Sequence, residues 1–167
     1  MAENIRADHE AMLQYCLELA EKSPPQPTNF RVGAALVRLE HGEVTANGFT
    51  LELPGNTHAE ECCLQKLSQE HNVTEEKLAE ASLSPHAIYT TMEPCSERLS
   101  GKLPCVERIL RQRNWIKKVY VGVQEPDTFV KANAGRRMLE EAGIEVIHVT
   151  GLEEKILSVA TAGHVKE

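Results

Sequence analysis

The chain has 167 residues, of which 41% are hydrophobic, 26% charged and 4% aromatic, and its formal net charge is −7. One domain spanning 1–167 is long enough to bury a real core, and no apolar run approaches the roughly 18 residues of a membrane span. The acidic balance and few aromatics argue against a nucleic-acid surface or base-stacking platform, while polar residues 1–10 do not form a secretory signal, so a cytoplasmic or nuclear location is expected.

Apolar residues at helical spacing, among them Ile5, Met12, Leu13, Leu17 and Ala20, predict a helix over 3–22. Ser23-Pro24-Pro25-Gln26-Pro27 ends it. The run 32–39 has little alternation, as in a strand covered on both faces. His41-Gly42-Glu43 turns the chain into an antiparallel strand over 44–51. A helix follows over 58–70 and a short one over 74–82. Strand 87–92 runs directly into Glu93-Pro94-Cys95. Residues 96–103 read as a loop, 104–114 as a helix and 118–123 as a strand. A helix over 131–142 stops at Gly143, and strand 144–149 and helix 152–160 close the chain. Beyond the hairpin, helices and strands alternate. This predicts a three-layer α/β/α sandwich with a mixed five-stranded sheet, mostly parallel in its second half.

Five cysteines is an odd number, and without a secretory signal a disulfide framework is not expected. Cys16 falls on the apolar side of the first helix and reads as core. Cys62 and Cys63 read as packing residues, although either could approach a nearby metal.

His58-Ala59-Glu60, Pro94-Cys95 and Pro104-Cys105 together supply one nitrogen and two sulfurs, enough to hold Zn²⁺ with a fourth position open. Glu60, two residues after the histidine, would stand beside the metal and move protons. An H-x-E followed by P-C and a second cysteine is the signature of zinc deaminases of cytosine- or adenine-type rings. Thr57-His58-Ala59-Glu60 also fits a capping box with Thr57 as N-cap, a reading compatible with the first. The predicted layout puts Cys95 after the end of a strand and His58 and Cys105 at helix starts, where ligands collect in α/β sheets and thiolates are favoured. The cluster Arg108, Arg111, Arg113, Lys117 and Lys118 reads as complementing a helix C-terminus. The remaining histidines read as solvated or core residues.

The motif set resembles the cytidine deaminase-like superfamily. It is most similar to the pyrimidine deaminases of riboflavin biosynthesis, through the string Thr91-Met92-Glu93-Pro94-Cys95-Ser96-Glu97-Arg98-Leu99-Ser100-Gly101-Lys102-Leu103-Pro104-Cys105. Most members have two residues between the cysteines; the nine here, with Gly-Lys before the second cysteine, look like the fungal riboflavin enzymes. Asn29 followed by Val32-Gly33-Ala34, Val123 to Asp127, and the stretch from Gly135 through Ala142-Gly143-Ile144 extend the likeness over roughly residues 28–150. Asn29-Phe30-Arg31-Val32-Gly33-Ala34 is closer to free cytidine deaminases. The resemblance implies hydrolytic deamination of 2,5-diamino-6-ribitylamino-4(3H)-pyrimidinone 5′-phosphate, or its ribosylamino counterpart, by a homodimer or larger homo-oligomer, either as a stand-alone deaminase or as one separated domain. His58, Cys95 and Cys105 would bind zinc, with Glu60 as proton carrier and Glu93 orienting the site. Asn29 would read the pyrimidine edge, Arg98 and Lys102 the phosphate, and Asp127 the sugar hydroxyls. Cytidine, a deoxynucleotide or an RNA base are alternative substrates, and a purely structural zinc module is the alternative outside enzymology.

Overall fold

Strands β1 (Gly33–Arg38), β2 (Val44–Phe49), β3 (His86–Met92), β4 (Ile116–Val123) and β5 (Glu145–His148) form one sheet in the order β2-β1-β3-β4-β5. β1 pairs antiparallel with both β2 and β3, and β3-β4 and β4-β5 are parallel. This is the mixed sheet the alternation of elements predicts. The computed structural model describes residues 2–98, 100–124 and 134–164, residues 2–8 as backbone only. Among them no helix is long and apolar enough to cross a membrane.

Helices α1 (Ala2–Ala20) and α5 (Glu153–Ala160) pack against each other and one face of the sheet. α2 (Ala59–Glu70), α3 (Cys105–Leu110) and α4 (Ala134–Glu141) cover the other. Covering on both faces explains why β3 is buried from end to end and β1 except at Arg38. Two glycines let helices sit directly on strands. A Cβ on Gly33 would overlap the Cys16 carbonyl of α1, and one on Gly48 would lie 2.5 Å from the Ala59 carbonyl oxygen and 2.8 Å from the Cys62 Cβ. The second contact seats the first turn of α2 on β2. Cys16 is fully buried, as its place in the helical pattern predicts.

The predicted helix over 104–114 is shorter in the structure and ends at Leu110. The cause is Trp115, which is buried and donates its indole N–H to Gln112 Oε1 at 2.7 Å. Gln112 is itself buried and donates to the Glu75 carbonyl at 2.9 Å. The chain turns to satisfy these groups, and β4 starts at Ile116, two residues before the predicted position. The segment predicted as a helix over 74–82 contains a 3₁₀ helix, Glu76–Glu80. The start of the helix predicted over 131–142 lies outside the described residues.

Candidate active site

His58 is the N-cap of α2, with extended backbone (φ −94°, ψ 161°). The cap is one residue later than the Thr57 box predicts. Thr57 instead donates its hydroxyl to the Leu53 carbonyl at 2.8 Å. The His58 N–H donates to Glu61 Oε1 at 3.1 Å, so the carboxylate engaged in capping belongs to Glu61 and not to Glu60. Glu60, 4% exposed, lines the same cavity as His58 and Cys95.

Cys95 follows β3 across Glu93-Pro94, and the Glu93 N–H donates to the Val123 carbonyl at 2.8 Å, fixing the exit from the strand. Cys105 opens α3 behind Pro104, a residue compatible with a helix start. Its N–H donates to Cys95 Sγ at 3.3 Å, and the Val106 N–H to the Cys95 carbonyl at 3.0 Å. The Cys95 and Cys105 segments thereby hold each other.

The His58 Nδ1, Cys95 Sγ and Cys105 Sγ atoms all lie within 4.8 Å of one another. His58 Nδ1 is 3.6 Å from Cys95 Sγ and 3.5 Å from Cys105 Sγ. Sulfur at about 2.3 Å and nitrogen at about 2.0–2.1 Å from a tetrahedral ion stand about 3.6 Å apart. The donor set and its spacing therefore fit zinc. Cys62 and Cys63 are not in this group: Cys62 Sγ donates to the Phe49 carbonyl at 3.6 Å, and Cys63 is fully buried.

The three side chains shift one another's proton affinity. The hydrogen bond from Cys105 and the neighbouring imidazole pull the Cys95 thiol down to about 4, against the opposing effect of burial. The same shared hydrogen bond, together with burial, pushes Cys105 up. Burial works to lower His58, but the hydrogen bond and charge of Cys95 outweigh it and the imidazole is raised.

The cavity has a volume of about 240 Å³. Asn29, Glu93 and Arg98 line it, as do Phe30, Met92 and Asn56, whose type and spacing gave no functional signal. Asn29 Nδ2 donates to Asn56 Oδ1 at 3.1 Å, joining two loops at the wall. Burial raises the Glu93 carboxyl against the opposing charge of Arg136. Arg98 donates to the Asn56 carbonyl at 2.8 Å and to Glu61 at 3.0 Å. Lys102 is not among the cavity-lining residues and reaches the Gly55 carbonyl and Glu61. Asp127 lies outside the described residues.

Arg108 lies in the last turn of α3, as the helix-end reading of the basic cluster expects, but it does more there. It is buried and pairs with Glu61 at 3.2 Å and Glu75 at 2.5 Å. The motif spacing singles out Glu60 and gives Glu61 no role. The one cue is that a single-residue shift of the cap would hand the capping task to the second glutamate.

A family model described as the cytidine and deoxycytidylate deaminase zinc-binding region matches residues 6–123. The chain is 39% identical over 157 residues to the diaminohydroxyphosphoribosylamino-pyrimidine deaminase of Schizosaccharomyces pombe, covering 94% of this chain and 36% of that protein. It is 34% identical over 140 residues to the riboflavin biosynthesis protein RibD of Bacillus amyloliquefaciens, covering 82% of this chain and 32% of that one. It thus spans about a third of the length of these curated relatives. Its structure is similar to that of a C-terminal deletion mutant of the Aspergillus oryzae Rib2 deaminase in complex with DARIPP, with a TM-score of 0.86, 48% identity, and coverage of 93% of this chain and 91% of that one.

Proposed function

We propose, from the premise that this chain belongs to the cytidine and deoxycytidylate deaminase zinc-binding family, that it is a hydrolytic zinc deaminase of riboflavin biosynthesis. Its substrate is a 2,5-diamino-6-(ribityl- or ribosylamino)-4(3H)-pyrimidinone 5′-phosphate. The observation that carries this reading is the meeting of His58, Cys95 and Cys105 at tetrahedral-edge spacing, with His58 and Cys95 on the cavity that Glu60 lines. The similarity to deaminases of that pathway in S. pombe and A. oryzae supports the substrate class.

His58, Cys95 and Cys105 would hold the zinc ion, which when bound supplies a water acidified from a pKa of about 15.7 to about 7. Glu60 takes the proton of that water as oxygen bonds to the ring carbon bearing the amine, and passes it to the adjacent ring nitrogen. Glu60 then takes the remaining proton of the added hydroxyl and gives it to the exocyclic nitrogen, the C–N bond breaks, and ammonia departs with a carbonyl left on the ring. Asn29, with a donor and an acceptor on one amide, reads the pyrimidine edge. Arg98 and Lys102 supply positive charge for the phosphate, Asp127 contacts the sugar, and Glu93 orients the site from beside Cys95. The unit acts as a single domain within a homo-oligomer, without nucleic acid as partner.

The test pairs substrate with variant. Wild-type protein is expected to release ammonia from the ribosylamino or ribitylamino pyrimidine phosphate and not from cytidine. Glu60→Ala is expected to keep its zinc and lose at least about 10²-fold in kcat. Turnover of cytidine alone would discard the substrate. Loss of zinc and fold together in Glu60→Ala would favour a structural zinc module.

A further inference from the structure

The centre draws its ligands from separate segments: the start of α2 and both ends of the nine-residue stretch between Cys95 and Cys105. One carboxylate reaches all of them. Glu61 Oε1 accepts from the His58 N–H at 3.1 Å and from Arg98 Nη1 at 3.0 Å. Glu61 Oε2 lies 3.2 Å from Arg108 Nη2 on α3, 3.5 Å from Lys102 Nζ and 3.4 Å from Gln65 Nε2. Arg98 and Lys102 continue to the carbonyls of Asn56 and Gly55, in the loop that leads into His58. The side chains of Glu61 and Arg98 are each 2% exposed, so their attraction is only weakly screened by solvent.

We propose that Glu61 is a positioning residue: its charge fastens the inter-cysteine stretch and the 54–57 loop to the start of α2, and so sets the substrate-facing wall of the cavity. It touches no reacting atom in the mechanism above, which assigns proton transfer to its neighbour Glu60. A neutral isostere leaves Arg98 buried without its counter-charge, and restoring solvent to that guanidinium requires the stretch to lift. Arg108 keeps Glu75 and the body of α3 stays in place. The expected damage is therefore local, in the wall formed by Asn56, Arg98 and Ser100.

The effect on catalysis rests on the proposed deaminase function, whereas the fastening itself does not, and two readouts keep them apart. Hydrogen exchange of zinc-loaded Glu61→Gln should be at least about tenfold faster than wild type across 96–104 and 54–57, with β1 and β3 unchanged. With the pyrimidine phosphate, the same variant should show KM raised about tenfold or more, kcat within about threefold, and zinc content unchanged. Arg98→Met should give the same exchange pattern, and exchange in the double variant should be no worse than about threefold beyond the poorer single one. Unchanged exchange in those two segments, or acceleration spread evenly over the sheet, would overturn the proposal. So would a KM equal to wild type beside a lowered Tm. If wild-type protein deaminates no pyrimidine, the functional reading falls while exchange still decides the role of Glu61.

Discussion

Two adjacent glutamates differ in what they touch because the helix cap sits at His58. A cap at Thr57 would have put Glu60 in the N3 position and tied its carboxylate to the backbone. With the cap at His58, Glu61 takes that place and Glu60 faces the cavity. A different residue, His86, makes a prediction about pH. It is buried at the start of β3, with Nδ1 2.7 Å from the Ser84 carbonyl and Nε2 3.0 Å from Thr45 Oγ1. Burial, aided by the charge of Arg38 and opposed by the Ser84 hydrogen bond, lowers it below its ordinary 6.5. The unfolded chain then binds a proton at a pH where the folded one does not. The contribution to stability is full above 6.5 and is lost as pH falls from there through the folded value. His86→Gln should therefore lose less Tm than wild type between about pH 7.5 and about pH 5.5, by at least about 2 °C in thermal melts. An equal loss in both proteins would remove His86 as a cause. The cluster of His58, Cys95 and Cys105 and the neighbouring Glu60 stand out in the sequence because zinc chemistry demands those residue types in that order. Glu61 does not, because a buried hub for guanidiniums looks the same in sequence as a solvated glutamate.

At the scale of elements, periodicity and turn residues located every strand, because burial on both faces or one leaves a pattern. Helix α3 was overestimated since Arg111 to Asn114 do not break a helix by propensity. The break is tertiary: Trp115 must be buried with its N–H satisfied, and Gln112 does this only from a turn. The seating of α2 was equally hidden, since Gly48 reads as an ordinary interruption of a strand. Its missing side chain is what lets Ala59 and Cys62 approach β2 and sets the height of His58 above the sheet. Gly48→Ala should push α2 outward, cost about 1–3 kcal/mol in denaturant unfolding, and weaken zinc retention against a chelator. Wild-type stability and zinc retention in that variant would show that α2 can shift without disturbing the centre.

For the molecule as a whole, the sheet order β2-β1-β3-β4-β5 brings the end of β3 beside the start of α2, which packs on the neighbouring strands. Ligands 37 and 47 residues apart from His58 meet through that topology. The order of elements was readable, but the convergence rests on packing that no local pattern encodes. X-ray absorption at the zinc edge of the purified protein tests the whole construction most directly. The account predicts one zinc per chain, bound by two sulfurs and one imidazole nitrogen, with a light atom completing the shell. No bound zinc, or a shell of three or four sulfurs drawing in Cys62 or Cys63, would contradict it.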